Sequence, residues 1–255
     1  GIPNNRAIAI AHRVLTIRGN RDLVEQVYSW LEAPALVHGW NHTQEEGAAV
    51  KQLSRWGHVF CPSDWAMNLP VLSVGSADIR WPRFDQSRTV ESDHLNRDRP
   101  HLSFVLSDGD NLQWILGDFA WNEKYWRSPQ LETLPFGFGL PIADLLEVAP
   151  DVYLHLHRTK STHTTILVAP EYLFVDHLGT NRSASQRTSL LEWYGHRIES
   201  VLKRSGLSSI ILICEQLDHP CTLKAWKAMV AAAPSLNAAV VMQYHPYEGG
   251  QGRVW

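Results

Sequence analysis

The sequence predicts an α/β fold, a (β/α)8 TIM-like barrel, on three observations. Short apolar runs recur along all 255 residues. They are unbroken rather than alternating, the mark of parallel strands covered on both faces. Amphipathic stretches separate most of them, and about eight such strand–helix units in roughly 250 residues is the size of a barrel. The competing architecture is an open doubly wound parallel sheet. No GxGxxG follows a strand and no P-loop occurs, so the nucleotide-binding versions of that sheet lose support. Residues 1–255 read as a single barrel-like domain, with 73–100 as an insertion or long loop.

In chain order, Ile8 to Ala11 is a first strand candidate. Val24, Val27, Tyr28 and Leu31 follow the i, i+3, i+4, i+7 spacing of a helix with one apolar face. Leu36-Val37 is a strand. Thr43 with Glu46 three positions on forms a capping box before Ala48, Val50 and Leu53. Val59-Phe60 is a strand. Ser73 to Pro100, rich in Asp, Arg, Ser and Pro, breaks the rhythm. Leu102 to Leu106 is a strand, and Phe136 to Leu140 is another, weakened by Gly137 and Gly139. Thr165 to Ala169, Ile210 to Cys214 and Ala238 to Met242 complete the set. Leu191, Tyr194, Ile198, Val201 and Leu202 mark a long helix, with Gly206 where its C-terminus would want it. Leu223, Trp226, Val230 and Ala233 mark a last helical stripe.

Composition excludes several classes. Lys+Arg is 23 against Asp+Glu 26, a net charge of −3, so no global basic footprint for nucleic acid exists. No apolar run approaches the roughly 18–20 residues of a membrane span. Cys61, Cys214 and Cys221 form no CxxC pair, and Cys61 and Cys214 read as small buried hydrophobes. The excess is tryptophan: 11 Trp against 7 Tyr and 7 Phe. Trp30, Trp193 and Trp226 fall on helices and read as packing. Trp40 and Trp65 fall immediately after strands and read as ligand surfaces.

A parallel α/β architecture places its site at the carboxyl ends of the strands. Trp40-Asn41 follow the Leu36-Val37 strand, and Asp64-Trp65 follow Val59-Phe60. Ser107-Asp108-Gly109-Asp110-Asn111 follow Leu106, Glu171-Tyr172 follow the strand ending at Ala169, Glu215 follows Cys214, and Tyr244-His245 follow Met242. Asp108 and Asp110 suit general acid/base work or oxygen-rich metal binding. They suit a helix N-cap equally. No HExxH and no GxSxG occurs.

The segment Leu102 to Trp114, with SDGDN at 107–111, resembles the corresponding segment of the GxGYxYP proteins, a glycoside-hydrolase-like barrel family. Gly39-Trp40 with Glu45-Glu46, Ser63-Asp64 with Asn68-Leu69, and Phe136 to Pro141 followed by Leu145 to Pro150 resemble further stretches of that family. So do Arg158-Thr159 and Tyr244 to Tyr247 with Gly252 and Trp255. The likeness runs from about residue 20 to the end. The signature strand falls at Ala169 to Val175, where Tyr172 and the aromatic Phe174 match while both glycines and the proline are missing. The resemblance implies a barrel and a carbohydrate-related role.

Three functions compete. In the first, a glycoside hydrolase-like enzyme uses Glu215 as acid/base with Asp108 or Asp110 as partner. Trp40, Trp65 and Tyr172 stack on sugar rings. Asn41, Asp64, Asn111, Arg158, Glu171, Tyr244 and His245 complete the carbohydrate-binding surface. No cofactor and no metal is expected in this reading, and an extracellular or periplasmic location goes with it. The second function is a non-catalytic barrel with a binding or structural role. The third is a metal-dependent hydrolase built on Asp108, Asp110 and His245.

Overall fold

A computed structural model describes residues 2–74, 81–86, 102–106, 111–244 and 252–254. The helices are α1 (Ile2–Ala11), α2 (Arg21–Trp30), α3 (Glu46–Arg55), α4 (Leu69–Val74), α5 (Leu112–Trp114), α6 (Ile142–Val148), α7 (Pro150–Thr159), α8 (Ala184–Ser205) and α9 (Pro220–Ala231). The strands are β1 (Leu36–His38), β2 (Val59–Cys61), β3 (Val105–Leu106), β4 (Phe136–Leu140), β5 (Thr164–Val168), β6 (Ser209–Cys214), β7 (Ala238–Gln243) and β8 (Gly252–Val254).

Strands β3 to β7 form a curled parallel sheet in chain order, and β8 pairs antiparallel with β7 at its edge. Sequential parallel strands need crossovers of one hand, which carry the connecting helices to one face. The strand residues divide accordingly. Phe138, Leu140, Ile166, Val168, Ile210, Leu212 and Val241 join the main core with Leu145, Tyr153, Leu156, Leu191, Ile198 and Met229 of the helices. Leu167, Ala169 and Ile211 point the other way and cluster with Val240 and Met242. On β4 that second face carries Gly137 and Gly139. A Cβ on Gly139 would stand 3.0 Å from Ile211 Cγ2, so the missing side chain lets β6 lean across.

The described residues do not close a (β/α)8 barrel. β1 and β2 form a separate parallel pair. That pair meets the larger sheet through the segment after β5: Tyr172 bridges Phe60 antiparallel, and Phe174 bridges Ile213 in parallel. By these bridges β2 lies against a segment that itself runs with β6, and among the described residues β1 and β2 are not strands of the larger parallel sheet. Antiparallel β8 ends the other side. The open parallel sheet is the architecture formed, with strands in sequential order. Ile8 to Ala11 belongs to α1, not to a strand; its alanines favour a helix as readily as alternation favours a strand. Helix α3 starts at Glu46 after Glu45, and no side chain caps it. Thr43 instead donates to Asn41 Oδ1 at 2.6 Å. The capping box lies elsewhere, between Ser183 and Gln186 at the start of α8. Gly206 ends that helix in the left-handed region at φ 74°.

Of the stretch 73–100, residues 81–86 are described beyond α4. They cross the end of α8: Phe84 N donates to Ser205 O at 2.7 Å. Gln86 inserts its amide against β5, accepting from Ile166 N at 2.6 Å and donating to Ile166 O at 3.0 Å, as a neighbouring strand would. Arg182 binds α2 from a distance. Its guanidinium donates to the carbonyls of Tyr28, Ser29, Leu31 and Trp56. Three of those lie at the C-terminal end of α2, where helix carbonyls have no partner of their own.

Candidate functional site

Two clusters of ionisable side chains gather where the β1–β2 pair meets the carboxyl ends of β4, β5 and β6. The first is sealed. Glu171, past the end of β5, turns towards the helices and pairs with Arg197 Nε of α8. The same guanidinium holds Glu147 Oε1 and Oε2 at 3.0 and 3.2 Å. Asp144 of α6 and Cys61 of β2 lie beside Glu171, and all three are buried. Burial pushes the Glu171 carboxyl well above the ordinary carboxylate range against the pull of Arg197, and Asp144 adds to the push. Burial and the adjacent Asp144 carboxylate raise the Cys61 thiol in the same way.

The second cluster is open. Glu215 directly follows β6 on the parity of Ile211, the face away from the helices. Lys51 Nζ of α3 donates to Glu215 Oε1 at 2.8 Å and to Oε2 at 2.7 Å. His177 Nε2 lies 2.7 Å from Oε2. The Asp176 carboxylate accepts the main-chain N–H of Glu215 and Gln216. Gln243 Nε2 donates to Glu215 O at 3.1 Å. Partial burial works to raise the Glu215 carboxyl, but the bonds from Lys51 and His177 outweigh it and hold it below the ordinary carboxylate range. Its side chain is 35% exposed, whereas those of Glu171 and Asp64 are 0% and 2% exposed. Among these three, Glu215 alone has a partly exposed side chain.

The remaining sequence-derived candidates divide by environment. Asp108, Asp110 and His245 lie outside the described residues. Asn111 caps α5, its Oδ1 accepting from Trp114 N at 3.2 Å. Trp65 N donates to Gln113 Oε1 at 2.8 Å, and Gln113 N donates to Pro62 O, so the loop after β2 is tied to the segment after β3. Trp65 itself is 70% exposed. Trp40 faces inward and stacks on Tyr172 with ring centroids 5.9 Å apart, and the Tyr172 hydroxyl donates to Glu46 at 2.6 Å. Asp64 meets His42 Nε2 at 3.0 Å. Asn41 is buried and accepts from Thr43. Tyr244 lays its ring on Phe174, 5.0 Å between centroids, in the space that Gly47 leaves open. Arg158 is exposed in the last turn of α7, on the way into β5, and so stands at the amino ends of the strands. Trp30, expected to pack, is 74% exposed.

Sequence reasoning missed Lys51, His177, Asp176 and Arg197, which decide the state of the two glutamates. A cation or a histidine on a loop or helix carries no local signal of a partner that lies 26, 38 or 164 positions away. Among the described residues, no group of three or more His, Cys, Asp or Glu is placed to hold a metal ion. No helix among them is long and apolar enough to cross a membrane.

Comparison with known proteins adds the following. Residues 5–74 match the "GxGYxYP third domain", and residues 99–254 match the "GxGYxYP putative glycoside hydrolase C-terminal domain". A crystal structure of a "putative hydrolase" from Bacteroides thetaiotaomicron is similar in fold, with a TM-score of 0.69 at 20% identity. The likeness covers 90% of this chain and 42% of that one, so this chain spans less than half of that protein's length. No curated protein matches.

Proposed function

From the premise that this chain belongs to the GxGYxYP family, whose C-terminal domain matches more than half of it, we propose that it is a carbohydrate-active hydrolase working with paired carboxylates. The observation that carries the reading is Glu215: a carboxylate at the carboxyl end of a parallel strand, kept ionised by Lys51 and His177 on a side chain that stays partly exposed. Glycoside hydrolysis uses one ionised and one protonated carboxyl group across the scissile bond. Glu215 fits the ionised role, as base, nucleophile or electrostatic partner. The proton donor in this reading is Asp108 or Asp110, which follow β3 in the sequence. This refines the sequence-based assignment, in which Glu215 served as acid/base. Trp65, exposed on the loop tied to the segment after β3, offers an indole face to a sugar ring.

The inward packing of Trp40, Tyr172 and Glu171, which takes three expected ligand groups off the surface, favours a second reading, a non-catalytic module with a binding or structural role. A panel of aryl glycosides run beside a glycan array separates the two. Hydrolysis that Glu215→Gln abolishes supports the enzyme. Glycan binding with no hydrolysis supports the module, and neither signal overturns the carbohydrate reading.

A further inference from the structure

The Glu215 carboxylate is held at both oxygens by a side chain 164 positions away. Lys51 belongs to the segment matched as the third domain, and Glu215 to the segment matched as the C-terminal domain. The C-terminal segment fixes the backbone of Glu215 by itself: Asp176 accepts the N–H groups of Glu215 and Gln216, and Gln243 donates to the Glu215 carbonyl. It does not fix the head of the side chain. His177 reaches Oε2 alone and leaves the carboxylate free to rotate about that contact. Lys51 supplies the second point.

Helix α3 is placed to do this. Val50 and Leu53, flanking Lys51, are buried against Phe60, Tyr172 and Phe174. Ser54 Oγ accepts from Phe174 N at 3.0 Å, and the carbonyls of Ser54 and Arg55 accept from Gly179 and Asn181 at 2.9 Å each. The stretch 174–181 that carries His177 is thus stapled to the helix that carries Lys51. Both donors reach Glu215 as parts of one framework.

We propose that Lys51 is a positioning residue for Glu215, so that the third-domain segment completes the site carried by the C-terminal domain. This rests on the reading of Glu215 as the ionised carboxylate of the pair. Among the described residues, the charged and titratable groups in contact with Glu215 are Lys51 on α3 and Asp176 and His177 on the turn after Phe174. A strut that merely joins two segments would affect stability. A positioning residue also sets the ionisation and orientation of the group it holds.

The test uses the full chain with 13C-labelled glutamate carboxyls, the Glu215 resonance being identified by its loss in Glu215→Gln. Lys51→Met is expected to move the Glu215 titration midpoint upward. Lys51→Arg, which keeps the charge, is expected to hold the midpoint near that of the wild type. On an aryl glycoside that the wild type hydrolyses, Lys51→Met is expected to lower kcat by about 100-fold with a smaller change in KM, the scale of a misplaced reacting group. The acid limb of the pH profile should move with the midpoint. A folded Lys51→Met protein with an unmoved midpoint and a lower melting temperature overturns the proposal. Should Lys51→Met fail to fold, Lys51→Gln is read in the same way. A moved midpoint in a protein that hydrolyses none of the glycosides upholds the positioning by Lys51 and counts against the hydrolase reading instead.

Discussion

Glu171 and Glu215 leave neighbouring strands of one sheet and meet opposite surroundings. Glu171 turns into the seam between α6, α8 and the end of β2, where water is excluded and Asp144 stands close by. Glu215 stays on the other face, with two donors and access to solvent. Burial dominates at the first and raises its carboxyl; hydrogen-bonded cations dominate at the second and lower it. The pair teaches that a carboxylate at a strand end is no guide to chemistry by itself. The direction its side chain takes past the strand decides whether it serves the fold or faces a ligand.

That contrast can be broken most sharply by activity. Glu215→Gln is expected to lower hydrolysis by about 10²–10⁴-fold, the contribution typical of an acid/base group, in a variant that stays folded at the assay temperature. Equal activity in the variant would remove Glu215 from the mechanism. Asp108→Asn and Asp110→Asn, assayed in parallel, would identify the proton donor, which should lose comparable activity. At the sealed cluster the expected loss is in stability. Arg197→Met leaves buried Glu171 without its cation and should cost about 3–5 kcal/mol in denaturant unfolding at neutral pH. Any loss of activity there should track the unfolded fraction.

The two glutamates should also pull stability in opposite directions with pH. For Glu171 the folded carboxyl holds its proton more tightly than the unfolded chain does, so its contribution falls as pH rises above the ordinary glutamate range. For Glu215 the folded carboxyl releases its proton more readily. Its contribution is full above that range and is lost as pH falls through the lowered value. Unfolding free energies across pH should therefore flatten on the alkaline side in Glu171→Gln and on the acid side in Glu215→Gln. Identical slopes in both variants would erase the distinction. The smallest effect belongs to Tyr172→Phe, which removes the hydroxyl bond to Glu46 while keeping the ring on Trp40. It should cost about 0.5–1.5 kcal/mol by thermal melting and leave carbohydrate binding intact.

Much of this fold is legible in the sequence for a definite reason. A sheet covered on both faces makes its strands apolar without alternation, and Ile210 to Cys214 or Ala238 to Met242 can hardly be read otherwise. Gly206 declares a helix end because only glycine takes the left-handed turn cheaply. Strand direction leaves no such trace. Nothing in Leu36-Val37 or Val59-Phe60 tells that β1 and β2 pair apart from the larger sheet, so the sequence alone does not separate a full barrel from the curled half-barrel sheet that the described residues form. The rim residues are legible as strand exits, but their partners are not. Trp40 and Tyr172 have the composition of a sugar platform and serve as each other's platform instead. Lys51 and His177 acquire meaning only when α3 and the turn after Phe174 are brought together.

The grip of Arg182 on the end of α2 bears on how the chain melts. Helix α2 does not finish itself: three carbonyls at its C-terminal end are satisfied by a guanidinium roughly 150 positions downstream. The N-terminal segment therefore cannot keep its native ending once the later part of the chain unravels, and the later part cannot unravel without stripping that helix. The two family segments are therefore expected to melt in one transition, and a truncation placed between them to leave the end of α2 without its guanidinium.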